Sequence, residues 1–289
     1  MEMPKHEIIA LIAGTGDLPL QAAQTLLSQQ RPFFIINLFE SEKEKLRAHL
    51  PSNITVISES FYKIGTIKKT LIAQHTTSLL FVGKVDKRNL LKKISYDWEF
   101  AKLSSRLLYK GDRDIMELLV HDIEKLGITV LSQSDILDSS LAHAGVLTGS
   151  PTDQLYKDAS LGLQTAQTLS YNDIGQTVVV KAGMILAVEA IEGTDECIAR
   201  GVTLGKHDVV ICKTCHQKQN HKYDLPTIGP QTIRSLKKGT VAALVWHAGR
   251  VLILNKEECI RLAQERGIVL MCLEVDSPEE KKLFRQQKA

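Results

Sequence analysis

The stretch "EIIALIAGTGDLPLQAAQTLLSQQ", residues 7–30, holds a whole structural unit in one line. A short β-rich apolar run comes first, a Gly-Thr-Gly turn follows at Gly14 and Gly16, and apolar residues then recur at helical spacing. Pro19 falls in the opening turn of that helix, where the amide it lacks would have no partner anyway. The same alternation continues. "FFIINLF", "ITVIS" and "SLLFVG" read as buried strands, and "KIGTIKKTLIAQ" reads as a helix before the last of them. The pattern predicts an α/β fold whose N-terminal domain is Rossmann-like, with a mostly parallel sheet covered by helices. Two more helical segments are expected near 97–110 and 112–126, and "GITVLSQSDIL" reads as a strand leading into a further helix or turn.

The style changes at "GVLTGSPTDQ", residues 145–154, where small residues, Ser, Thr, Pro and Asp gather as they do in linkers. This gives two domains, 1–147 and 148–289, the second carrying the candidate catalytic acids. In the second domain "QTVVVKAGMILAVEAIEG" reads as two strands joined by a tight turn at Ala182 and Gly183, with a helix from Thr194. The strand "HDVVIC", a helix near Pro230, a strand pair "TVAALVWHAGRVLIL", the helix "KEECIRLAQERG" and the strand "IVLMCLEV" complete a mixed α/β domain. The charged ending "DSPEEKKLFRQQKA" reads as a solvated tail or frayed helix.

Composition narrows the function. A chain of 289 residues is long enough for two cores. Its net charge of +3, from 36 basic and 33 acidic residues, is too small to argue for nucleic acid. No apolar run approaches the roughly 20 residues that cross a bilayer, and the first residues lack the apolar region and cleavage site of an export signal. The expected location is the cytoplasm, where Cys197, Cys212, Cys215, Cys259 and Cys272 are free thiols. Cys212, Cys215 and His216 also spell a haem-attachment pattern, and the same thiols with His216 or His221 could be read as zinc ligands. Haem attachment normally follows export, and zinc needs a fourth ligand that no second C-x-x-C or H-x₃-H supplies.

Four places bear on chemistry. Backbone amides at Gly14 and Gly16 can receive a phosphate at a helix start, or the two glycines can simply make a tight turn. The third glycine of the dinucleotide fingerprint is absent, and no acid follows the second strand at the ribose position, which argues against an NAD-dependent oxidoreductase. "FVGKVDKR" ends a strand at Gly83 and releases Lys84, Lys87 and Arg88 at the carboxyl edge of the sheet, where open α/β sheets bind ligands; Lys84 is the candidate contact, and Lys87 and Arg88 read more readily as a solvated basic loop. In "VEAIEGTDECIARG", Asp195 and Glu196 complement the dipole of a helix that Thr194 is placed to cap, but Glu189 interrupts an apolar strand. With Glu192, these acids fit a hard divalent cation. In "KYDLPTIGP" two prolines and Gly229 hold the main chain stiffly around Asp224, either as a turn-capping residue or as a catalytic carboxylate.

"IAGTGDLP", "VGKV", "GVLT", "DIGQTVVV", "AVEAIEGTDECIAR" and "YDLPTIGP" stand in the order and approximate spacing of the LpxI family, which the chain resembles over nearly its whole length. The "EAIEGTD" and "DLPTIGP" blocks are the specific ones. The resemblance implies a cytoplasmic, metal-dependent hydrolase that cleaves UDP-2,3-diacylglucosamine into UMP and 2,3-diacylglucosamine 1-phosphate in lipid A biosynthesis. It also implies a homodimer, with possible contact at the inner membrane. Asp224 takes the position of the essential acid, as metal ligand or water-orienting base, and Glu189 and Asp195 are the next candidates for catalysis and for holding Mg²⁺. Gly14, Gly16, Gly83, Lys84, Gln176, Thr194, Lys213 and Thr227 are the candidate substrate contacts, with Lys84 and Lys213 on the phosphates. The chain departs from the family pattern at Asn220 and Lys222, where an acid and an arginine are expected, in "CKTCHQK", and at Gln264. Lysine cannot reproduce the two-pronged grip of arginine on phosphate, which leaves a weakly catalytic binding protein as the alternative.

Overall fold

The computed structural model describes residues 7–85, 97–100, 112–215, 222, 223 and 225–274. Its contacts divide the chain into two compact units, Met1–Asp138 with His221–Tyr223, and Ser139–Asn220 with Asp224–Ala289.

In the first unit the strands β1 (Ile9–Ala13), β2 (Phe33–Asn37), β3 (Val56–Ser58), β4 (Ser78–Val82) and β5 (Thr129–Val130) form one sheet in the order β3-β2-β1-β4-β5. Every pairing in it is parallel. The central strands β1 and β4 are buried at each position, as expected of a sheet covered on both faces. Helices α1 (Leu18–Ser28), α2 (Glu40–His49), α3 (Ile64–Ala73), α4 (Asp112–Glu124) and α5 (Gln133–Ile136) connect them. One apolar cluster joins Ala10, Ile12, Phe34, Ile36, Leu79 and Phe81 of the sheet to Leu71 of α3 and Val120 and Ile123 of α4. Helix α2 buries only Leu46, so apolar periodicity gives no sign of it.

The second unit is built on six strands in the order β6-β13-β11-β9-β7-β8. These are β6 (Gly145–Thr148), β7 (Thr177–Lys181), β8 (Met184–Val188), β9 (Val209–Lys213), β11 (Val241–His247) and β13 (Val269–Leu273). β9, β11 and β13 run parallel, while β6, β7 and β8 pair antiparallel to their neighbours. The predicted mixed domain and its β7–β8 hairpin at Ala182 and Gly183 are therefore present. Residues 145–148, read from composition as linker, instead pair with β13 as an edge strand.

Helix α6 (Asp153–Tyr171), capped by the Thr152 side chain, lies on one face of this sheet. It comes so close that a Cβ on Gly162 would stand 2.4 Å from Cys212 Sγ. The buried carboxylate of Asp158 reaches from α6 to the hairpin turn and accepts the amides of Ala182 and Gly183 at 2.8 and 2.7 Å. The other face carries α7 (Thr194–Gly205), α8 (Pro230–Ser235) and α9 (Lys256–Arg266), packed through a core that includes Trp246, Leu244, Ile198, Ile233 and Leu262.

One expectation fails. "TVAALVWHAGRVLIL" was read as a pair of strands, but β12 (Leu252–Ile253) leaves β11 and pairs in parallel with β10 (Thr227–Ile228) in a sheet of two. Its register is fixed by Leu252 N on Pro226 O at 2.9 Å and Leu254 N on Ile228 O at 2.8 Å. Among the described residues no helix is long and apolar enough to cross a membrane.

Candidate active site

Each unit has a carboxyl edge. In the first, β1 and β4 are parallel neighbours, so the turns that follow them meet. Thr15 N donates to Lys84 O at 2.9 Å, Lys84 N returns a bond to Thr15 O at 3.0 Å, and Gly14 N donates to Val82 O at 2.8 Å. A Cβ on Gly14 would stand 2.6 Å from Lys84 O, and Gly83 combines a φ of +87° with Thr15 O at 2.8 Å from the place of its Cβ. Both glycines are thus required by a backbone crossing, and the Gly14 and Thr15 amides are already bonded within it. Gly16, with a φ of +103°, faces open space, and the Lys84 side chain is exposed. Lys87 and Arg88 lie outside the described residues.

At the second edge β9, β11 and β13 end at Lys213, His247 and Leu273. The antiparallel β7 begins there, with Thr177 opposite Lys213. Glu189, one residue past β8, is held by its amide on Thr177 O at 2.9 Å, and Gln176 O accepts Thr214 N at 3.0 Å.

The side chains at this edge form a chain. Lys213 Nζ donates to Thr194 Oγ1 at 2.9 Å and Thr177 Oγ1 at 3.3 Å, and Thr194 Oγ1 donates to Glu189 Oε1 at 2.8 Å. Glu189 Oε2 accepts the Gln176 amide at 3.2 Å. Lys213 is 7% exposed, so its ammonium is oriented by hydroxyls in a poorly hydrated place, where its field is strong. Thr194 was expected to cap α7, but the N-cap is Gly193, and the threonine hydroxyl is used on Glu189 instead. Four predicted residues are therefore brought together: Lys213, Thr194, Glu189 and Gln176.

The other predicted acids do not join them. Glu192 takes Arg200 Nη2 at 2.6 Å; its own backbone amide and then this guanidinium hold its carboxyl below the usual range. Asp195 and Glu196 are exposed in the first turn of α7, where they complement the helix dipole. Thr227, in β10, is half-buried and donates to Leu225 O at 3.3 Å. Asp224 lies outside the described residues; the two residues after it, Leu225 and Pro226, are buried.

Among the described residues no group of three or more His, Cys, Asp and Glu side chains can hold a metal ion. Of the acids from 189 to 196, Glu189 alone is tied into this chain, and the next charged group along it is an ammonium, which repels a cation. The described donors do not by themselves make up a site for Mg²⁺. Among the described residues the thiols make up no zinc site: Cys212 Sγ is directed at Ala159 O on α6, and Cys215 Sγ at Arg250 O. Burial pushes the Cys212 thiol far up. His216 and His221 lie outside the described residues.

Sequence reasoning missed three groups at this edge. Buried His247 ends β11, and its Nδ1 is 2.9 Å from Thr214 Oγ1. Arg250, 7% exposed, donates from Nη1 to Cys215 O at 3.1 Å while accepting from the Cys215 thiol. The signal was available: in "VAALVWHAGR" a titratable residue breaks an apolar strand as Glu189 does in "AVEA".

Family models describe the two halves in turn. The LpxI N-terminal domain matches residues 8–140 and the LpxI C-terminal domain matches residues 143–271. A protein of Caulobacter vibrioides (strain ATCC 19089 / CIP 103742 / CB 15), named UDP-2,3-diacylglucosamine pyrophosphatase LpxI, is 29% identical over 275 residues, 91% of this chain and 96% of that protein. With both domain models matched in order along almost all of its length, the chain belongs to the LpxI family.

Proposed function

We propose that the chain hydrolyses the pyrophosphate of UDP-2,3-diacylglucosamine, releasing UMP and 2,3-diacylglucosamine 1-phosphate in lipid A biosynthesis. Water attacks one phosphorus of the P–O–P linkage, a new P–O bond forms, the bridging bond breaks, and the protons of the water leave two phosphate monoesters. Negative charge on the phosphoryl oxygens must be met in place, and this is the service an oriented, poorly hydrated ammonium supplies. The reading is supported most by Lys213, held by the hydroxyls of Thr177 and Thr194 at the carboxyl edge of a family-matched domain. Asp224 is assigned as the acid that orients the water. Dependence on Mg²⁺, with Asp224, Glu189 and Asp195 as oxygen donors, is a separate part of the proposal, as are the homodimer and its contact with the inner membrane.

The test is UMP release from UDP-2,3-diacylglucosamine by wild type and Asp224→Ala, with Mg²⁺ and with chelator. Wild type should release UMP, and the variant should be slower by about 10²-fold or more, the usual contribution of a positioned acid or base. Activity undiminished by chelation would remove Mg²⁺ from the reading and leave the reaction. One observation fits a second reading, binding without turnover: Lys222, where an arginine is expected from the resemblance, pairs with Glu124 at 2.6 Å. A wild type inert with every divalent cation that still binds 2,3-diacylglucosamine 1-phosphate would establish it.

A further inference from the structure

The strand that carries Lys213 runs on past its ladder. The last pairs of β9 set Lys213 against Trp246 of β11 and Thr177 of β7, and the ladder stops one residue short of Thr214. Beyond that point side chains take over. The Thr214 hydroxyl forms a hydrogen bond with His247 Nδ1 at 2.9 Å. Cys215 is gripped twice by Arg250, whose carbonyl accepts from the thiol at 3.4 Å and whose Nη1 donates to Cys215 O at 3.1 Å. His247 and Arg250 are the two ends of one tight turn, closed by Arg250 N on His247 O at 3.4 Å with Gly249 at a φ of +67°.

Three successive residues are thus each held by a side chain from another segment: Lys213 by Thr177 and Thr194, Thr214 by His247, and Cys215 by Arg250. Thr214, Cys215 and His247 are fully buried, and Arg250 nearly so. The rest of β11, Val241–Trp246, is apolar, and a leucine in place of His247 would suit such a core with no imidazole to desolvate. A polar pair in so dry a place sacrifices stability and gains one fixed geometry, because a satisfied buried network admits few arrangements. The charged group whose geometry depends on this segment is Lys213. Its ammonium is aimed by two hydroxyls, and the backbone it springs from is set on the following side by Thr214 and Cys215.

We infer that His247 and Arg250 are positioning residues for Lys213. They clasp the two residues after it, and through them keep its ammonium on Thr177 and Thr194, facing the phosphoryl group. The inference rests on the proposed hydrolysis for what Lys213 acts on; the aim of the side chain does not depend on that reading.

Two readouts on the full chain test it. The first is a double-mutant cycle in UMP release from UDP-2,3-diacylglucosamine. His247→Leu should lower kcat about tenfold or more and move KM less than about twofold, the signature of a displaced group rather than a lost contact. In a Lys213→Met background the same change should cost less than about twofold, because the group it positions is gone. His247→Asn, whose amide stands near the place of Nδ1 and can donate or accept, should recover most of the loss, as Thr214→Ser should relative to Thr214→Val. The second readout needs no substrate. Brief labelling with acetic anhydride, followed by peptide mass spectrometry, should modify Lys213 several-fold faster in His247→Leu and Arg250→Met than in wild type, with exposed Lys206 as internal reference. Should His247→Leu fail to fold, Thr214→Val, which keeps the volume of the side chain, carries both readouts. An equal fall in kcat in both backgrounds, or a Lys213 that labels no faster, would reduce the clasp to a structural role and overturn the inference. Failure of both His247→Leu and Thr214→Val to fold would overturn it as well. A wild type that releases no UMP, yet whose Lys213 labelling responds to these changes, would sink the proposed function alone.

Discussion

The two carboxyl edges solve different problems with similar topology. At the first, the strand ends are joined by backbone: Gly14, Thr15, Gly83 and Lys84 bond to one another, and the Lys84 side chain stands in water. At the second, the strand ends are joined by side chains: Lys213, Thr194 and Glu189 form one chain, and Thr214 with His247 a further pair. A backbone edge of this kind buries no charge at the strand ends, and the charges near it, Lys84 among them, stand in water. A side-chain edge with a buried ammonium can bring charge to bear where water is scarce. Under the proposed hydrolysis, the contrast favours the second edge over the first for phosphoryl chemistry.

The sharpest way to break that assignment is to remove one lysine from each edge. Lys213→Met keeps length and removes charge from a buried position where two hydroxyls aim it. The loss expected is 10² to 10³-fold in kcat, the scale of deleting a preorganised donor to the transition state. Lys84→Met, at an exposed ammonium, should cost less than tenfold, because hydration already weakens its field. Thermal melts of both variants exclude unfolding as the cause. If Lys84→Met proves the more damaging, the chemistry belongs to the first edge.

How much of this could be seen in the sequence depends on which physical signal each residue leaves. The central strands of the first unit are buried on both faces and appear as apolar runs, so β1, β2 and β4 were legible. Helix α2 was not, because it buries one leucine. Thr194, Glu189 and Gln176 were named from family blocks and from an acid breaking an apolar run, and Lys213, which stands in no family block, as a candidate for holding the phosphates; the four do come together. Glu192 could not be separated from Glu189 by spacing, because the difference lies in Arg200, one helix face away. β12 deceived for a related reason: short apolar strands on either side of a Gly turn look like a hairpin, and only the partner strand Thr227–Ile228 shows otherwise.

A smaller effect separates the edges by what their glycines allow. Gly14→Ala puts a Cβ 2.6 Å from a backbone oxygen that cannot turn away, so the Thr15–Lys84 pairing must open. A loss of about 1–3 kcal/mol, the range for overpacking, is expected in urea unfolding of the first unit. Gly162→Ala gains about 1 kcal/mol of helix propensity, but its Cβ meets Cys212 Sγ at 2.4 Å, in a core with no room to move. The net change should still be destabilising, by less than at Gly14. Gly162→Ala proving neutral would show that α6 can slide over the sheet, and the distinction between a backbone edge and a packed one would weaken.

A further effect is alkaline, and it should distinguish the units by onset. All five cysteines lie in the second unit, and burial pushes Cys197, Cys259 and Cys272 up from 9.0 to about 12, with Cys212 higher still. A raised folded-state pKa means the fold prefers the protonated thiol. Below pH 9 both folded and unfolded chains carry that proton, and the contribution is fully present. As pH rises past 9 the unfolded chain releases protons that the folded one keeps, and stability falls until the folded pKa is reached. The first unit has no thiol; its buried Tyr62, raised from 10.0 by desolvation, begins the same loss one unit later. Pulse proteolysis in urea, with fragments mapped along the chain, should find the second unit weakening between pH 9 and 10 while the first holds. Simultaneous loss would mean that the two units unfold as one cooperative body. Loss in the first unit alone would show that its edge, and not the thiol-lined core, sets the alkaline limit.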